Sequence, residues 1–472
     1  MKPARDVIVV GAGPAGLAAA TSLATSGAAV TLLERRPFVG GRAYSYPHPA
    51  LGEVVDSQHV LLGCCTNLID LIQEAGISDY IRWYDKQTFL EPADGSRPSR
   101  ESTIEISSLP APFEYAASFA RASMLGLADK AGIARGLLGL ADGRPASDTE
   151  SIAQWYARTR QTSRAIQHFW EPIVLATLND TSAKCSMKYG ATVFYEIFLK
   201  TRTGGRLGIP TVPLSDLYGA AAQHFQTLGG TLRDRASVES LEQRPDGTWN
   251  VRLADEVLTA RNIILALPFE QTQKLLTGLP GAAGLLGQVE RFEHSPFISI
   301  LLWFDRQISS LDHAWLLDTT IQWFFHKSKI RGYDPGQGSY VELVIAGSKK
   351  EITYSRQAIL EPALAELNRF FPDAANATLL KSGILKEARA TFSVTPGLDA
   401  FRPSQATPLK GFYLAGDWTS TDWPSTMEGA VRSGRLAAGA LYGDLQRYVT
   451  PELQPAGLMR WIRTSRPPRS RA

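Results

Sequence analysis

The sequence predicts an α/β protein with a discontinuous Rossmann-like domain and a second domain of mixed sheet and helices. The first forty residues alternate strand, glycine-rich loop, helix and strand, and a similar strand and glycine return near residue 412. The stretches between them differ, with aromatic helices at 151–200 and a mixed pattern of strands and helix at 290–385. A chain of 472 residues is also too long for a single core.

The N-terminal segment contains the strongest pattern. A β-branched run at 7–10 predicts a buried strand, and the loop 11–16 follows it with the sequence GAGPAG. A helix of small residues is predicted at 17–24 and a second strand at 30–33. This order is the βαβ unit that binds dinucleotides.

Each glycine of that unit has a physical role. Gly11 permits the tight turn, Gly13 allows the backbone to approach a pyrophosphate, and Gly16 allows the helix to pack closely on the strand. The helix N-terminus offers free N–H groups to the phosphates. Glu34 ends the second strand and can accept hydrogen bonds from a ribose.

A second glycine pair favours FAD over a nicotinamide cofactor. Gly40 and Gly41 follow Glu34 closely and can return the backbone to the same pyrophosphate, and Arg42 adds a charged contact. Near the other end of the chain, a strand at 412–415 runs into Gly416 and Asp417. Asp417 is expected to bind a ribityl hydroxyl.

A capping box is predicted at 425–428, followed by a small-residue helix at 429–441. Its dipole would stabilise negative charge on the reduced flavin. The strand near Val238 is expected to lie beside the adenine. The candidate FAD-binding residues are Gly11, Gly13, Pro14, Ala15, Gly16, Glu34, Arg35, Gly41, Arg42, Val238, Gly416, Asp417 and Met427.

The domain boundaries follow from these changes of pattern. The FAD-binding domain is predicted to comprise 1–106, 207–290 and 386–445, and the substrate-binding domain 107–206 and 291–385, with a basic tail at 446–472. Aromatic residues of the helices at 151–200 suit either a core or the wall of an apolar cavity, and a core is favoured. A helix is predicted at 116–127.

Composition and charge exclude several classes of protein. The 49 Lys and Arg nearly balance the 46 Asp and Glu, so no nucleic-acid partner is expected. Three cysteines are too few for a disulfide framework and lack zinc-site spacing, so we expect a reducing compartment and no metal. Neither a secretory signal nor an apolar run of about 18 residues is present, which indicates a cytoplasmic location.

Three further segments resemble one family of flavoproteins. QHVLLGC at 58–64, FWEPIVLATLN at 169–179, and AGDWT with EGAVRSG between 415 and 434 are similar to hydroxysqualene dehydroxylases. These squalene-associated FAD-dependent desaturases belong to the amine oxidase and phytoene desaturase superfamily, and the resemblance covers about residues 5–445. This chain has one residue fewer between Asp56 and Gln58 than the family pattern.

The resemblance implies an amine oxidase-like fold and a reaction on a C30 isoprenoid, in which hydroxysqualene becomes squalene for hopanoid synthesis. Such a reaction needs hydride from reduced flavin, a proton donor and exclusion of water. We expect His59 to be the donor, tuned by Asp56, with Gln58 orienting substrate or water. A structural role for His59, hydrogen-bonded to backbone, remains an equal alternative.

A substrate of this kind is almost insoluble in water, so it should enter from a bilayer. The apolar stretch 107–141 and the basic tail are candidates for peripheral contact with the inner membrane. Two other functions stay open. One is a carotenoid or phytoene-type FAD desaturase, and the other is a non-redox isoprenoid carrier of the same fold. Neither the oligomeric state nor the electron donor follows from the sequence.

Overall fold

The computed structural model describes residues 6–95, 97–143 and 147–462. Its strands are β1 (Asp6–Val10), β2 (Ala29–Leu33), β3 (Tyr46–His48), β4 (Glu53–Val55), β5 (Leu61–Leu62), β6 (Ile81–Tyr84), β7 (Lys86–Glu91), β8 (Arg100–Glu105), β9 (Leu207–Pro210), β10 (Thr231–Arg233), β11 (Ser240–Gln243), β12 (Trp249–Arg252), β13 (Val257–Ala260), β14 (Asn262–Leu265), β15 (His294–Phe304), β16 (His313–Leu316), β17 (Trp323–Phe325), β18 (Ser339–Ala346), β19 (Leu379–Phe392) and β20 (Phe412–Leu414).

The described residues contain fifteen α-helices. They are α1 (Pro14–Thr25), α2 (Thr66–Glu74), α3 (Ala116–Arg121), α4 (Leu127–Leu138), α5 (Ile152–Arg158), α6 (Ser163–Ala165), α7 (Glu171–Leu178), α8 (Met187–Phe198), α9 (Leu214–Thr227), α10 (Phe269–Leu276), α11 (Ala283–Val289), α12 (Lys327–Ile330), α13 (Arg356–Phe370), α14 (Pro372–Ala375) and α15 (Met427–Ala440). A π-helical turn, Ile166–Trp170, joins α6 to α7.

A five-stranded parallel sheet forms the first layer, in the order β10-β2-β1-β14-β20. Its central strands are buried and β-branched because both faces are covered, one by helices and the other by a core that includes Trp249 and Val251 of the strands β11–β13. On one face α1 packs against α9 and α15. The predicted discontinuous Rossmann-like domain is confirmed, since β14 pairs with β1, more than two hundred residues earlier in the chain, and β20 adds to β14 from later still.

A seven-stranded mixed sheet forms the second unit, in the order β19-β15-β18-β17-β16-β7-β8. One of its faces is covered by α13, whose Ile359 and Leu367 join the same core cluster as Ile300. The sequence analysis assigned residues up to 106 to the FAD-binding domain, but β7 and β8 belong to this sheet. Cross-strand packing explains the difference, because Phe89 on β7 stacks against Trp315 on β16 at 5.4 Å.

The helices between the two sheets form an aromatic core. Trp170 and Phe194 are fully buried, with ring centroids 4.7 Å apart, so the core interpretation of these residues agrees with the structure. The single helix expected at 116–127 is wrong. The chain leaves α3 at Arg121 and restarts at Leu127, where Gly126 is the N-cap and the Asp129 side chain accepts the Gly126 N–H.

Residues after α15 contact the body of the protein as far as 458, and the next residue, Met459, is buried. The Thr450 N–H donates to the Asn67 side chain at 2.9 Å, and the Leu458 N–H donates to the Ala111 carbonyl at 2.9 Å. The predicted tail at 446–472 therefore begins later than expected, and its arginines at 463, 466, 469 and 471 lie outside the described residues. Within the described ranges, no helix has the length and apolarity needed to cross a bilayer.

Candidate cofactor and active site

The turn between β1 and α1 has the geometry that the glycine pattern predicts. Gly11 adopts a φ of +102°, and a Cβ on Gly16 would lie 1.8 Å from the Gly11 carbonyl oxygen. Pro14 and Ala15 open α1, whose N-cap is Gly13 without any side-chain hydrogen bond. The first-turn N–H groups are therefore not occupied by a side-chain cap and can face an anion.

The second glycine pair returns to the same loop. The Gly40 N–H donates to the Ala12 carbonyl at 2.9 Å, and a Cβ on Gly41 would lie 3.0 Å from the Gly13 Cα. A Cβ on Gly13 would in turn lie 3.5 Å from the Gly41 Cα. Side chains at either position would fill the approach to the helix N-terminus, so this backbone cradle fits a pyrophosphate.

Glu34 is buried at the end of β2, and both of its carboxylate oxygens accept backbone N–H groups. The Ala12 N–H donates at 2.9 Å and the Arg36 N–H at 3.0 Å, so Glu34 also braces the glycine loop. Arg35 is exposed. Arg36, which the sequence analysis did not select, donates to the Gly41 carbonyl at 3.1 Å.

Val238 does not lie on a strand. It is half-buried in the connection between β10 and β11, and β11 begins at Ser240. The strand that we expected to lie beside the adenine therefore begins after Val238. The strand that follows pairs in a separate three-stranded antiparallel meander, β11-β12-β13, and not with the parallel sheet.

The late Gly-Asp segment is fastened to α15. The Gly416 N–H donates to Ser433 Oγ at 2.7 Å, and a Cβ on Gly434 would lie 2.0 Å from the Ala15 carbonyl oxygen. The backbones of α1 and α15 are therefore in direct contact, which requires glycine at 434. Met427 is the first residue of α15, and the Tyr218 hydroxyl contacts its sulfur at 3.0 Å.

The capping box expected at 425–428 is wrong. Thr426 is the N-cap and accepts the Gly429 N–H at 3.0 Å, while Ser425 donates to Asp417. The Glu428 carboxylate instead accepts the Leu68 N–H at 2.8 Å and the Asn67 side chain at 2.9 Å, at the start of α2. Burial raises the pKa of Glu428, and these hydrogen bonds oppose that rise.

Arg42 and Asp417 form an ion pair with each other. The guanidinium donates to the Asp417 carboxylate and, at 3.1 Å, to the Ala390 carbonyl of β19. The sequence analysis gave these residues separate cofactor contacts, whereas the structure joins them. The pair links the two glycine segments across the chain, and the remaining acceptor positions of Asp417 can still receive a hydroxyl.

Arg402 holds the loop that follows Asp417, and the sequence analysis missed it. Its side chain is fully buried and donates to the carbonyls of Asp417 at 2.7 Å, Thr419 at 2.6 Å and Trp423 at 2.7 Å. A fourth bond reaches the Trp418 carbonyl at 3.3 Å. One side chain thus fixes the segment that leads into the N-terminus of α15.

Asp56 belongs to a buried charge cluster and does not contact His59 by a hydrogen bond. We define the charge cluster as Asp56, Lys327, Arg331 and Glu342. Arg331 donates to both carboxylate oxygens of Asp56, at 2.7 and 2.8 Å, and Lys327 bridges Asp56 and Glu342. Burial alone would raise the pKa of Asp56, but Lys327 and Arg331 lower it well below its usual range.

His59 and Gln58 lie beside this cluster, half-buried. His59 Nδ1 donates to the Ser57 carbonyl at 2.9 Å, so Nε2 carries the lone pair of the neutral ring. The Gln58 side chain donates to the His59 carbonyl at 2.8 Å. Burial lowers the pKa of His59 below its usual value, although the Ser57 carbonyl and the Asp56 charge oppose this. The expected tuning by Asp56 is therefore electrostatic and outweighed by burial.

One group outside this site brings three possible metal ligands together. Oxygen or nitrogen atoms of Glu91, His168 and Asp318 lie within 4.8 Å of one another. Glu91 already accepts from Arg100 and Arg164, at 2.8 and 2.7 Å. Two guanidinium groups at this distance repel a cation, so we assign the group to an ion-pair network.

Comparison with known proteins agrees with this geometry. The sequence profile of the flavin containing amine oxidoreductases matches residues 14–442, and the chain belongs to that family. FAD is accordingly its cofactor, and the cradle around Gly13 and Gly41 fits it. The chain is an FAD-dependent oxidoreductase of this family.

Among curated relatives, the chain is 28% identical over 467 residues to the 15-cis-phytoene desaturase, chloroplastic/chromoplastic, of an Oncidium hybrid cultivar, covering 94% of this chain and 79% of that protein. It is 27% identical over 464 residues to the 15-cis-phytoene desaturase of Synechococcus elongatus, covering 93% and 97%. Among solved structures, an oxidoreductase from Methanosarcina mazei has the same fold, with a TM-score of 0.71, 19% identity, and coverage of 93% and 100%.

Proposed function

We propose that this protein replaces the hydroxyl group of hydroxysqualene with hydrogen, giving squalene. The observation that carries the proposal is the position of the QHVLLGC segment, 58–64. At its start, the Gln58 N–H donates to Glu342 on β18 of the seven-stranded sheet. Just after its end, α2 receives the Glu428 carboxylate from the first turn of α15. The segment that contains His59 therefore connects the seven-stranded sheet, which we take as the substrate side, to α15, which we take as the flavin side.

Different residues of the chain would bind the cofactor and donate the proton. The glycine cradle and Glu34 would hold the adenosine and pyrophosphate of FAD, and Asp417 with the α15 N-terminus would hold its other end. Reduced FAD supplies a hydride when bound. Balance requires one proton, so that the hydroxyl group leaves as water. His59 gives that proton from its charged form, which burial makes a stronger acid.

A carotenoid-type desaturation is the second candidate, and the phytoene desaturase relatives favour it. That reaction removes a hydride and a proton from neighbouring carbons, so it needs a proton acceptor rather than a donor. The neutral His59 ring, with its lone pair on Nε2, suits that role. The two candidates therefore assign opposite protonation states to the same side chain.

Product analysis separates the two candidates. Purified protein is incubated without oxygen with hydroxysqualene and dithionite-reduced flavin, and separately with phytoene, oxidised flavin and a quinone acceptor. We expect a product lacking one oxygen atom in the first reaction and unchanged phytoene in the second. Loss of two hydrogens from phytoene, without turnover of hydroxysqualene, would reject the dehydroxylase proposal. A His59→Gln variant is the matched control in both reactions.

We also propose that substrate enters from a lipid bilayer through one exposed apolar surface. This lipid-facing surface comprises Leu109, Phe113, Leu458 and Trp461, which are 43%, 49%, 51% and 84% exposed. The hydrogen bond from Leu458 to Ala111 brings both segments together, and exposed Arg460 adds a positive charge beside them. These side chains lie in the two stretches that the sequence analysis selected.

Flotation with anionic liposomes tests this surface. We expect wild-type protein to float with the vesicles and a Leu458→Ser/Trp461→Ser variant to remain at the bottom. Leu380 is 61% exposed on β19, away from these segments, and Leu380→Ser serves as the control that should still float. Equal flotation of all three proteins would reject the lipid-facing surface.

A further inference from the structure

The charge cluster has contacts that neither cofactor binding nor proton transfer uses. Residues 56–60 belong to no strand or helix, so their backbone lacks the support of regular structure. The cluster supplies that support from another part of the chain. Lys327 Nζ donates to the Asp56 carbonyl at 3.0 Å, and Glu342 Oε1 accepts the Gln58 N–H at 2.8 Å.

Glu342 lies at a rigid position. It is fully buried in the middle of β18, an eight-residue strand that is buried along its whole length. Its Oε1 atom also accepts from Ser299 on the neighbouring strand β15 at 2.6 Å, and its Oε2 atom accepts from Lys327 at 2.7 Å. Two contacts therefore fix the carboxylate in addition to its hydrogen bond with Gln58.

Stability alone does not account for such a cluster. Two carboxylates and two cations lose their hydration when they are buried, and apolar residues of similar size are commonly as stable in such places. An apolar replacement would, however, offer no acceptor to the Gln58 N–H and no donor to the Asp56 carbonyl. The distinctive effect of these charges is to fix the position of residues 56–60.

We infer that Lys327 and Glu342 are positioning residues for His59 and Gln58. They fix the backbone at 56 and 58, and the Ser57 carbonyl between these points receives the His59 ring. The orientation of the imidazole thus depends on two charges that lie about 270 residues later in the chain. This inference rests on the proposed function, because it takes 56–59 as the segment that meets substrate.

Two charge-neutral double variants test the inference. Lys327→Met/Glu342→Gln and Lys327→Met/Glu342→Met have nearly the same shape, and both leave Asp56 paired with Arg331. The glutamine can still accept the Gln58 N–H, whereas the methionine has no comparable acceptor. The readouts are kcat and KM for hydroxysqualene, FAD affinity, and hydrogen–deuterium exchange of peptides covering 56–60, all on FAD-loaded full-length protein.

We expect FAD affinity and KM to be similar in the two double variants. The methionine variant should show faster exchange at 56–60 and a kcat at least about tenfold lower than the glutamine variant, because a small misplacement of a reacting group has a large effect on rate. Lys329→Met, on the same helix but with a side chain 32% exposed, is the control and should match wild type.

Equal exchange and equal kcat in the two double variants would overturn the inference. Exchange is measured without substrate, so faster exchange at 56–60 in the methionine variant supports positioning even when hydroxysqualene is not turned over. An absence of turnover counts against the proposed function alone. If the methionine variant does not fold, Glu342→Asp replaces it. This variant keeps the charge but withdraws the carboxylate by one methylene, and unchanged exchange there would also overturn the inference.

Discussion

Replacing Arg402 with methionine tests whether a single buried side chain fixes residues 417–423, the loop that leads into α15. The guanidinium donates to four carbonyl groups between residues 417 and 423. Methionine fills much of the same space but donates nothing. Each buried acceptor left without a partner costs about 1–3 kcal/mol. Taking the lower value, since carbonyls can shift or meet water, the four together predict a loss of about 4 kcal/mol in the free energy of unfolding.

The assay is urea unfolding of the FAD-loaded protein, followed by tryptophan fluorescence, together with a titration of apoprotein with FAD. Affinity for FAD should fall as well, because the loop carries Asp417 and leads into α15. Arg389→Met is the control, since its side chain is 63% exposed and ion-paired at 3.9 Å. A loss of less than about 1 kcal/mol with unchanged FAD affinity would refute this account of Arg402.

Three further predictions concern His59, the buried Glu114 between β8 and α3, and Gly41. For dehydroxylation, kcat/KM should fall as pH rises through the lowered pKa of His59, because the charged ring that donates the proton is lost. For desaturation, kcat/KM should rise over the same range, because the neutral ring accepts a proton. In a pH–rate profile, His59→Gln should abolish this pH dependence in either case. Burial raises the pKa of Glu114 to about 7, so the folded state keeps a proton that the unfolded chain releases, and stability falls as pH rises from about 4.5 to 7. Glu114→Gln should therefore gain about 1–3 kcal/mol over wild type near pH 8 and almost nothing near pH 4, measured by urea unfolding. Gly41→Ala should lower FAD affinity at least about tenfold in the same apoprotein titration, since its Cβ would press on Gly13, whereas Gly27→Ala, with a similar φ and open space, should not.

The sequence predicted those parts of the site that depend on local order. A strand, a glycine turn and a helix follow one another within thirty residues, so the pattern around Gly11 and Gly16 determines their geometry directly. The same is true of α15 and the Gly-Asp turn before it. In these places the neighbours in space are also neighbours in the chain, and single-sequence reasoning is sufficient.

The errors occurred where a residue far away in the chain determines the contacts of a side chain. Glu428 has the spacing of a capping box, yet its hydrogen bonds go to α2, more than 350 residues earlier. Lys327 and Glu342 were missed for the same reason. Lys327 ends the aromatic run WFFHK, but further cations follow it closely in the sequence. A clearer signal was present for Glu342, which is a lone charge in the apolar run YVELVIA. A charge in such a run predicts a buried partner, although not which one.

The order of strands in the parallel sheet has a consequence for biosynthesis. Strand β14 lies second from one edge of the sheet, and its outer neighbour β20 is translated about 150 residues later, followed by α15. A nascent chain therefore carries the edge of β14 uncovered until residues 412–414 have left the ribosome, and it lacks α15 until residue 440 has followed. Such an edge is prone to association.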